Sequence, residues 1–406
     1  MNRADCFALL LLLAPAAASA AMPLAIHAGV LYPVSGPPVR EALILIQDSR
    51  ITFVGPADDR MISADHQIIR AAVVTPGLID ARATVGLSGL LNQPHDQDML
   101  ERSAPVQPEL RAIDAYNGGD PLVAWVRSLG VTTVNTGHSP GTLVSGQTMV
   151  VKTSGSTRDR EVLRPAAFIT AALGGAGLNR AEGKAPGTRA KAVALLRAEL
   201  IKAQEYVRKR ALTDETKHPA RDLRLEALGR ALDGSQRLLI TAHKAPDILA
   251  ALRLAKEFNL RIVLDGCADA PLVLEEIRAA GFPVILHPTM ARAGDETENL
   301  AMDTPAKLAA AGIPFAFQSG YESYVPKTRV VLFEAAVAAG RGLGFERALA
   351  GATLEAAKTL GVADRIGTVE VGKDADLALF DGDPFEYTTR VTATVINGEL
   401  FRDGPR

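Results

Sequence analysis

Disulfide chemistry has almost nothing to work with in this chain, whose 406 residues include two cysteines, Cys6 and Cys267. Arg3, the apolar run Phe7 to Leu13 and the small residues Ala18-Ser19-Ala20 have the layout of a secretory leader, with cleavage expected after Ala20. Cleavage would remove Cys6 and leave Cys267 alone in an oxidising compartment, so no internal disulfide is expected. Cys6 lacks the small-residue context of a lipoprotein cleavage site, so no lipid anchor is expected either. The apolar run is far short of the roughly 20 residues that a membrane span needs. An excess of either charge is also missing, with 44 Lys and Arg against 46 Asp and Glu. The formal net charge of -2, unchanged by loss of Arg3 and Asp5, gives no reason to expect nucleic acid or an anionic membrane as partner. Histidines are few, and His27, His66, His95, His138 and His218 are scattered over strands and loops without metal-ligand spacing, so they are read as incidental. There is no repeat of 20 to 50 residues to indicate a solenoid.

What is present suffices for a large core. The chain is 48% hydrophobic and 22% charged, which suggests one large domain with an accessory one. Leu24 to Val34, Ala42 to Ile46 and Ile51 to Val54 read as short strands broken by Gly29, Gly36-Pro37-Pro38 and Gly55-Pro56. The same grammar returns at Asp376 to Phe380 and Val391 to Ile396, where Asn397-Gly398 predicts a hairpin turn before Glu399 to Arg402. Between these ends, eight apolar runs could be parallel strands: 73–80, 131–136, 148–153, 166–172, 237–242, 261–265, 283–287 and 314–319. Helical stripes lie between most of them, as at Pro246 to Phe258 and Leu272 to Ala280; Arg329 to Gly340 and Phe345 to Leu360 follow the last run. Eight strands with intervening helices is the arithmetic of a (β/α)₈ barrel, whose strand C-termini line the active face. Gly174 to Gly187 could fold over that face. Thr188 to Arg210, with Val193, Leu196, Leu200 and Val207 on one side, reads as a basic amphipathic helix, either a lid, a partner-binding helix or a solvated outer helix.

One stretch organises the rest. Val73-Val74 leads into Thr75 to Thr84, TPGLIDARAT, in which Asp80, Arg82 and Thr84 alternate as a strand end would present them to one face. This resembles the first barrel strand of the amidohydrolase superfamily, especially its secreted, imidazolonepropionase-like branch, where Pro-Gly-Leu-Ile-Asp-x-His-x-His places two imidazoles on one divalent metal. Asp114-Ala115-Tyr116-Asn117, Gly130 to Val134 and the C-terminal Val371-Gly372-Lys373-Asp374-Ala375-Asp376-Leu377 are similar to the same family. The resemblance covers nearly the whole mature chain. It implies a small β-sandwich built from both termini (residues 21–72 and 363–406) around a barrel (73–362), with the leader at 1–20.

The family's chemistry uses Zn or another divalent metal to lower the pKa of a bound water, with an aspartate from the eighth strand as proton acceptor. Here Arg82 and Thr84 stand at the two first-strand histidines, and Thr241 in Thr241-Ala242-His243 takes a fifth-strand ligand position. Gly266 in Leu264-Asp265-Gly266-Cys267 takes the sixth-strand imidazole's place, and Gly320 in Gln318-Ser319-Gly320-Tyr321 that of the catalytic aspartate. Glycine offers no side-chain donor and Arg82 adds a repelling positive charge, so no metal cofactor is expected. His243, His287 and Cys267 are weak catalytic candidates, Cys267 because a thiol beside an imidazole can be activated. Arg82, Thr84, Lys152, Thr241, His243, His287 and Tyr321 are the candidate binding residues; Lys152 has a structural salt bridge and a carboxylated metal bridge as alternatives.

Three functional classes stay open. The first is a secreted, metal-free, catalytically silent protein that binds a small ligand at the old active face or pairs with an active relative. The second is a hydrolase of C–N bonds, such as amides, cyclic amides or dipeptides, with a rebuilt centre formed by His243, His287 and Lys152. The third is a structural subunit of an assembly with a catalytic amidohydrolase. A homo-oligomer is possible within any of them.

Overall fold

The computed structural model describes residues 22–155, 161–322 and 330–402, so the expected leader lies outside it. β-Branched and leucine-rich runs at the N-terminus form β1 (Leu24–Leu31), β2 (Val39–Gln47), β3 (Arg50–Pro56) and β4 (Gln67–Pro76). β1 lies between β2 and β4, antiparallel to the first and parallel to the second. Its alternate residues Leu24, Ile26 and Ala28 face the same core as Ile44, Ile46 and Val74. That period of two is what a sheet with one buried face requires.

The barrel follows. Its strands are β5 (Leu78–Ala83), β6 (Val131–Gly137), β7 (Val144–Lys152), β9 (Phe168–Ala172), β10 (Arg237–Ala242), β11 (Ile262–Gly266), β12 (Val284–Leu286) and β13 (Phe315–Phe317), hydrogen-bonded in that order, with the short β8 (Val162–Arg164) beside β7. Two expectations change here. The run 73–80 is divided: β4 belongs to the outer sheet through Pro76, and the barrel strand starts at Leu78, with the Gly77 amide donating to Asp376 O at 2.9 Å. The third strand is not parallel, since β7 runs antiparallel to both β6 and β9. Residues 138–143 link β6 to β7, too short a link for the crossover of a dozen or more residues that a parallel pair needs. The other seven strands run parallel, and β13 meets β5 through Ser319 N to Asp80 Oδ1 at 3.0 Å and Gly320 N to Arg82 O at 3.3 Å.

The α-helices among the described residues are α1 (Pro121–Arg127), α2 (Arg189–Arg210), α3 (Leu223–Leu232), α4 (Ala245–Phe258), α5 (Leu274–Ala280), α6 (Thr304–Ala310), α7 (Val331–Ala338), α8 (Phe345–Gly351) and α9 (Leu354–Leu360). Pro at the first turn of α4 and α6 and an Asp or Thr cap on α1, α2 and α3 mark their starts. α2 buries Ala192, Leu196, Leu200, Ala203 and Tyr206, while Val207 is exposed, so its packed stripe is rotated from the expected one. It packs against α3 and α4 as an outer helix. The expected single helix from 345 to 360 is two, broken at Ala352-Thr353. α9 closes the barrel floor: Ala356, Ala357 and Leu360 share a core with Ile79, Leu239, Val263, Ile285 and Ala316 from the strands.

The chain then returns to the first sheet with β14 (Leu377–Phe380), β15 (Val391–Ile396) and β16 (Glu399–Phe401). β14 pairs with β4, giving seven strands in the order β16-β15-β14-β4-β1-β2-β3. The hairpin turn has positive φ at both Asn397 (51°) and Gly398 (76°), as the Asn-Gly pair predicts. Leu377, Leu379 and Val395 join Ile26 and Ile44 in one core, so the two termini build a single sandwich beneath the barrel. The architecture is a TIM-like barrel with a composite β-sandwich built from both termini.

Candidate ligand-binding site

The parallel strands place their C-terminal residues at one end of the barrel, its mouth. Arg82 in β5 is fully buried there. Its Nη2 donates to the carbonyl of His138, the residue that follows β6, while Nε and Nη1 have no acceptor. Burial pulls the guanidinium below its ordinary pKa, and the electrostatic influence of Asp265, then of Tyr321 and Asp80, opposes that shift. An arginine nevertheless stays charged at any ordinary pH. His138 is 6% exposed and neither ring nitrogen makes a well-formed hydrogen bond, although the Met99 backbone lies close enough to favour the protonated ring. Burial and the Arg82 charge depress it to about 4, so the ring is neutral at pH 7.

The carboxylates nearby are committed elsewhere. Asp265, at the end of β11, accepts from Thr241 Oγ1 at 2.5 Å and from Gln318 Nε2 at 2.7 Å. Asp80 accepts from Ser319 through both its amide and hydroxyl, and from the Arg82 amide at 3.2 Å. Burial pushes Asp80 up to about 6, against the pull of those hydrogen bonds. Among the described residues, no carboxylate pairs with the Arg82 guanidinium.

On the other side of the mouth, His243 follows β10 and His287 follows β12. Their rings meet edge to face at 4.9 Å, and His243 Nε2 lies 3.0 Å from the Tyr321 hydroxyl. Burial lowers the pKa of His243, although Asp265 and other carboxylates oppose it. The His243 ring stands against Gly266: a Cβ there would lie 2.7 Å from Cε1, and its φ of 90° is left-handed. A side chain at 266 and the present position of His243 are therefore incompatible. Gly320 has φ of 109°.

Other expected residues fall away from this group. Lys152 ends β7, and because β7 is antiparallel that end lies at the floor. Its Nζ pairs with Asp374 at 2.7 Å and Asp376 at 2.8 Å and also donates to Asn397. The barrel mouth gains no binding residue from Lys152, and a centre joining it to His243 and His287 does not form. Thr84 is buried but its hydroxyl is 2.8 Å from that of Ser88, which ties the loop after β5 rather than facing a ligand. Cys267 is fully buried and its thiol is pushed well above the usual range by burial and then by Asp265; among the described residues it makes no hydrogen bond with an imidazole, so nothing there activates it as a nucleophile. His138, which the sequence pattern left as incidental, is joined to Arg82 through its carbonyl; the signal for it was its place directly after the second strand. Asp80, Gln318 and Ser319 were likewise legible as strand-end polar residues.

The donor set does not fit a divalent metal. Arg82 brings a positive charge to the first-strand position, Thr241 spends its hydroxyl on Asp265, and Gly266 and Gly320 bring no donor. Among the described residues, no three His, Cys, Asp or Glu side chains converge as a cation would need.

Residues 316–401 match the family model described as Amidohydrolase family. The chain is 24% identical over 395 residues to an imidazolonepropionase of Rhizobium rhizogenes, covering 90% of this chain and 92% of that protein. It is 26% identical over 368 residues to the amidohydrolase tasK of Hapsidospora irregularis, covering 82% of this chain but 36% of that much longer protein. Among solved structures, an amidohydrolase from Thermotoga maritima MSB8 superposes with a TM-score of 0.87 at 27% identity, over 93% of this chain and all of that one. With its barrel, its composite sandwich and these relatives, the chain belongs to the amidohydrolase superfamily, in the imidazolonepropionase-like branch.

Proposed function

We propose that this protein binds a small molecule at the barrel mouth without a metal ion and without the hydrolytic chemistry of its family. The observation that carries the reading is Arg82: a fully buried guanidinium, two of whose nitrogens lack acceptors, occupies the strand position that a metal-binding imidazole takes in the family motif. A buried charge left partly unmatched lowers stability, and natural proteins retain such groups where a function needs them. The pairing of His243 with Tyr321 and His287 supports the same reading, since it adds two buried imidazoles and a half-buried phenol on the facing side of the mouth. The protein acts outside the cytoplasm, either alone or beside an active relative; the leader-like Arg3, Phe7 to Leu13 and Ala18-Ser19-Ala20 support secretion.

Elemental analysis of protein purified from zinc- and manganese-supplemented cells tests the reading, together with a thermal-shift screen of small polar ligands. Less than about a tenth of an equivalent of metal, with at least one saturable ligand, is expected for a site lacking ligand side chains. Stoichiometric metal accompanied by hydrolysis of a cyclic amide or dipeptide would replace this reading with the second one, a C–N hydrolase with an atypical centre. That second reading draws its support from the names of the relatives and from the two adjacent imidazoles.

A further inference from the structure

We propose that the mouth seats a small organic monocarboxylate on the guanidinium of Arg82, with His138 as its second contact. This deepens the ligand-binding reading above and rests on it. A guanidinium carries five N–H donors in a rigid plane. One of them, on Nη2, goes to the His138 carbonyl, and Nε and Nη1 have no acceptor. Whichever Nη2 hydrogen serves that carbonyl, the other lies parallel to an unmatched N–H on Nε or on Nη1. An edge of two parallel donors therefore stays open in either arrangement. A carboxylate is the planar acceptor that matches such an edge.

The surroundings select a single negative charge. Asp265 is held by Thr241 and Gln318, and Asp80 by Ser319 and the Arg82 amide, so neither turns its oxygens to the open edge. Both still act on Arg82 through space. Their negative charge would oppose a second one on the ligand, which disfavours sulfate or phosphate relative to a carboxylate. His138 is neutral at pH 7 and nine-tenths buried, and neither ring nitrogen makes a well-formed hydrogen bond, so it can donate to the second carboxylate oxygen. Its ring lies over Gly146, where a Cβ would come within 2.3 Å of Cδ2. The imidazole can lie this close to the backbone of β7 because residue 146 carries no side chain.

The experiment uses the full-length protein as purified, with its metal content measured on the same sample. Trifluoroacetate serves as a fluorine NMR probe, competed by acetate, by the uncharged isostere acetamide, and by chloride and sulfate at matched ionic strength. Saturable trifluoroacetate binding displaced by acetate alone is expected, weakened about tenfold in Arg82→Lys, which keeps the charge but loses the planar edge, and about threefold in His138→Gln. Equal competition by acetamide, or by chloride and sulfate, would overturn the proposal, as would unchanged binding in Arg82→Lys or an absence of saturable binding in the wild type. If Arg82→Lys does not fold, the wild-type competition and His138→Gln decide the matter. Bound metal would instead sink the metal-free reading. A metal-free protein that takes a neutral ligand and ignores acetate would leave that reading standing and overturn this one.

Discussion

Two cations are buried at opposite ends of the same barrel, and they are treated in opposite ways. At the floor, Lys152 is surrounded by Asp374, Asp376 and the Asn397 amide, and Asp374 in turn binds Arg365 at 2.7 Å and Arg50 at 2.6 Å. The network ties the third barrel strand to the sandwich. Burial works against the Asp374 carboxylate, but Lys152 and Arg365 hold its pKa below the usual value. At the mouth, Arg82 has one backbone carbonyl and unmatched nitrogens. The same physical penalty, desolvation of a charge, is met by partners in one place and left open in the other. A matched buried charge reads as architecture and an unmatched one as a place kept for something else.

The largest effect should come from breaking the matched side. Lys152→Met leaves two buried carboxylates without their common counter-charge, and a loss of about 3–5 kcal/mol in urea unfolding is expected. A loss below about 1 kcal/mol would mean that the floor network is not what joins sandwich to barrel.

Acid titration sharpens the mouth side of the comparison. His138 is depressed to about 4 in the folded protein, so the stability that comes from keeping it neutral is present above about 6.5 and is lost as pH falls towards 4. Asp80 is raised to about 6, so its penalty is present above that pH and is relieved as pH falls through 6 towards 4. Each shift corresponds to about 3 kcal/mol, with opposite signs, and the two nearly offset in the wild type. His138→Gln should therefore become more stable, and Asp80→Asn less stable, between pH 6.5 and 4.5, by roughly 2 kcal/mol each. Parallel pH profiles for both variants and the wild type would contradict the assignment.

A smaller change probes the other wall of the mouth. Gly266→Ala would set a Cβ 2.7 Å from the His243 ring at a left-handed φ. A cost of about 1–3 kcal/mol and displacement of His243 from Tyr321, seen in the imidazole NMR signals, are expected. An unperturbed His243 would show that the ring is not confined there.

Much of the architecture could be read from the residues, because strands and turns announce themselves locally. The Asn397-Gly398 turn, the alternation in Leu24 to Leu31 and the Pro76-Gly77 break each carry their own stereochemistry. The strand direction of β7 was less obvious, although the short link of residues 138–143 already contained it, since no crossover fits in that length. That direction decides where Lys152 goes, and so a floor residue was grouped with the mouth. The site was legible at Arg82, Thr241, His243 and His287 as strand-end positions. It was not legible at His138, whose importance lies in its spatial neighbour on another strand, nor in the commitment of Asp265 to Thr241 and Gln318, which no single segment reveals. Cys267 was misleading because sequence proximity to Asp265 says nothing of burial.

The smallest expected effect is also the most telling. Arg82→Met and Lys152→Met each replace a buried cation by an apolar chain of similar length, and their unfolding by urea can be compared side by side in ligand-free buffer. If the mouth guanidinium is kept for a ligand and not for the fold, Arg82→Met will match the wild type within about 1 kcal/mol or exceed it, while Lys152→Met loses several. A loss in Arg82→Met as large as that in Lys152→Met would make the mouth arginine a structural element like the floor lysine and contradict the account.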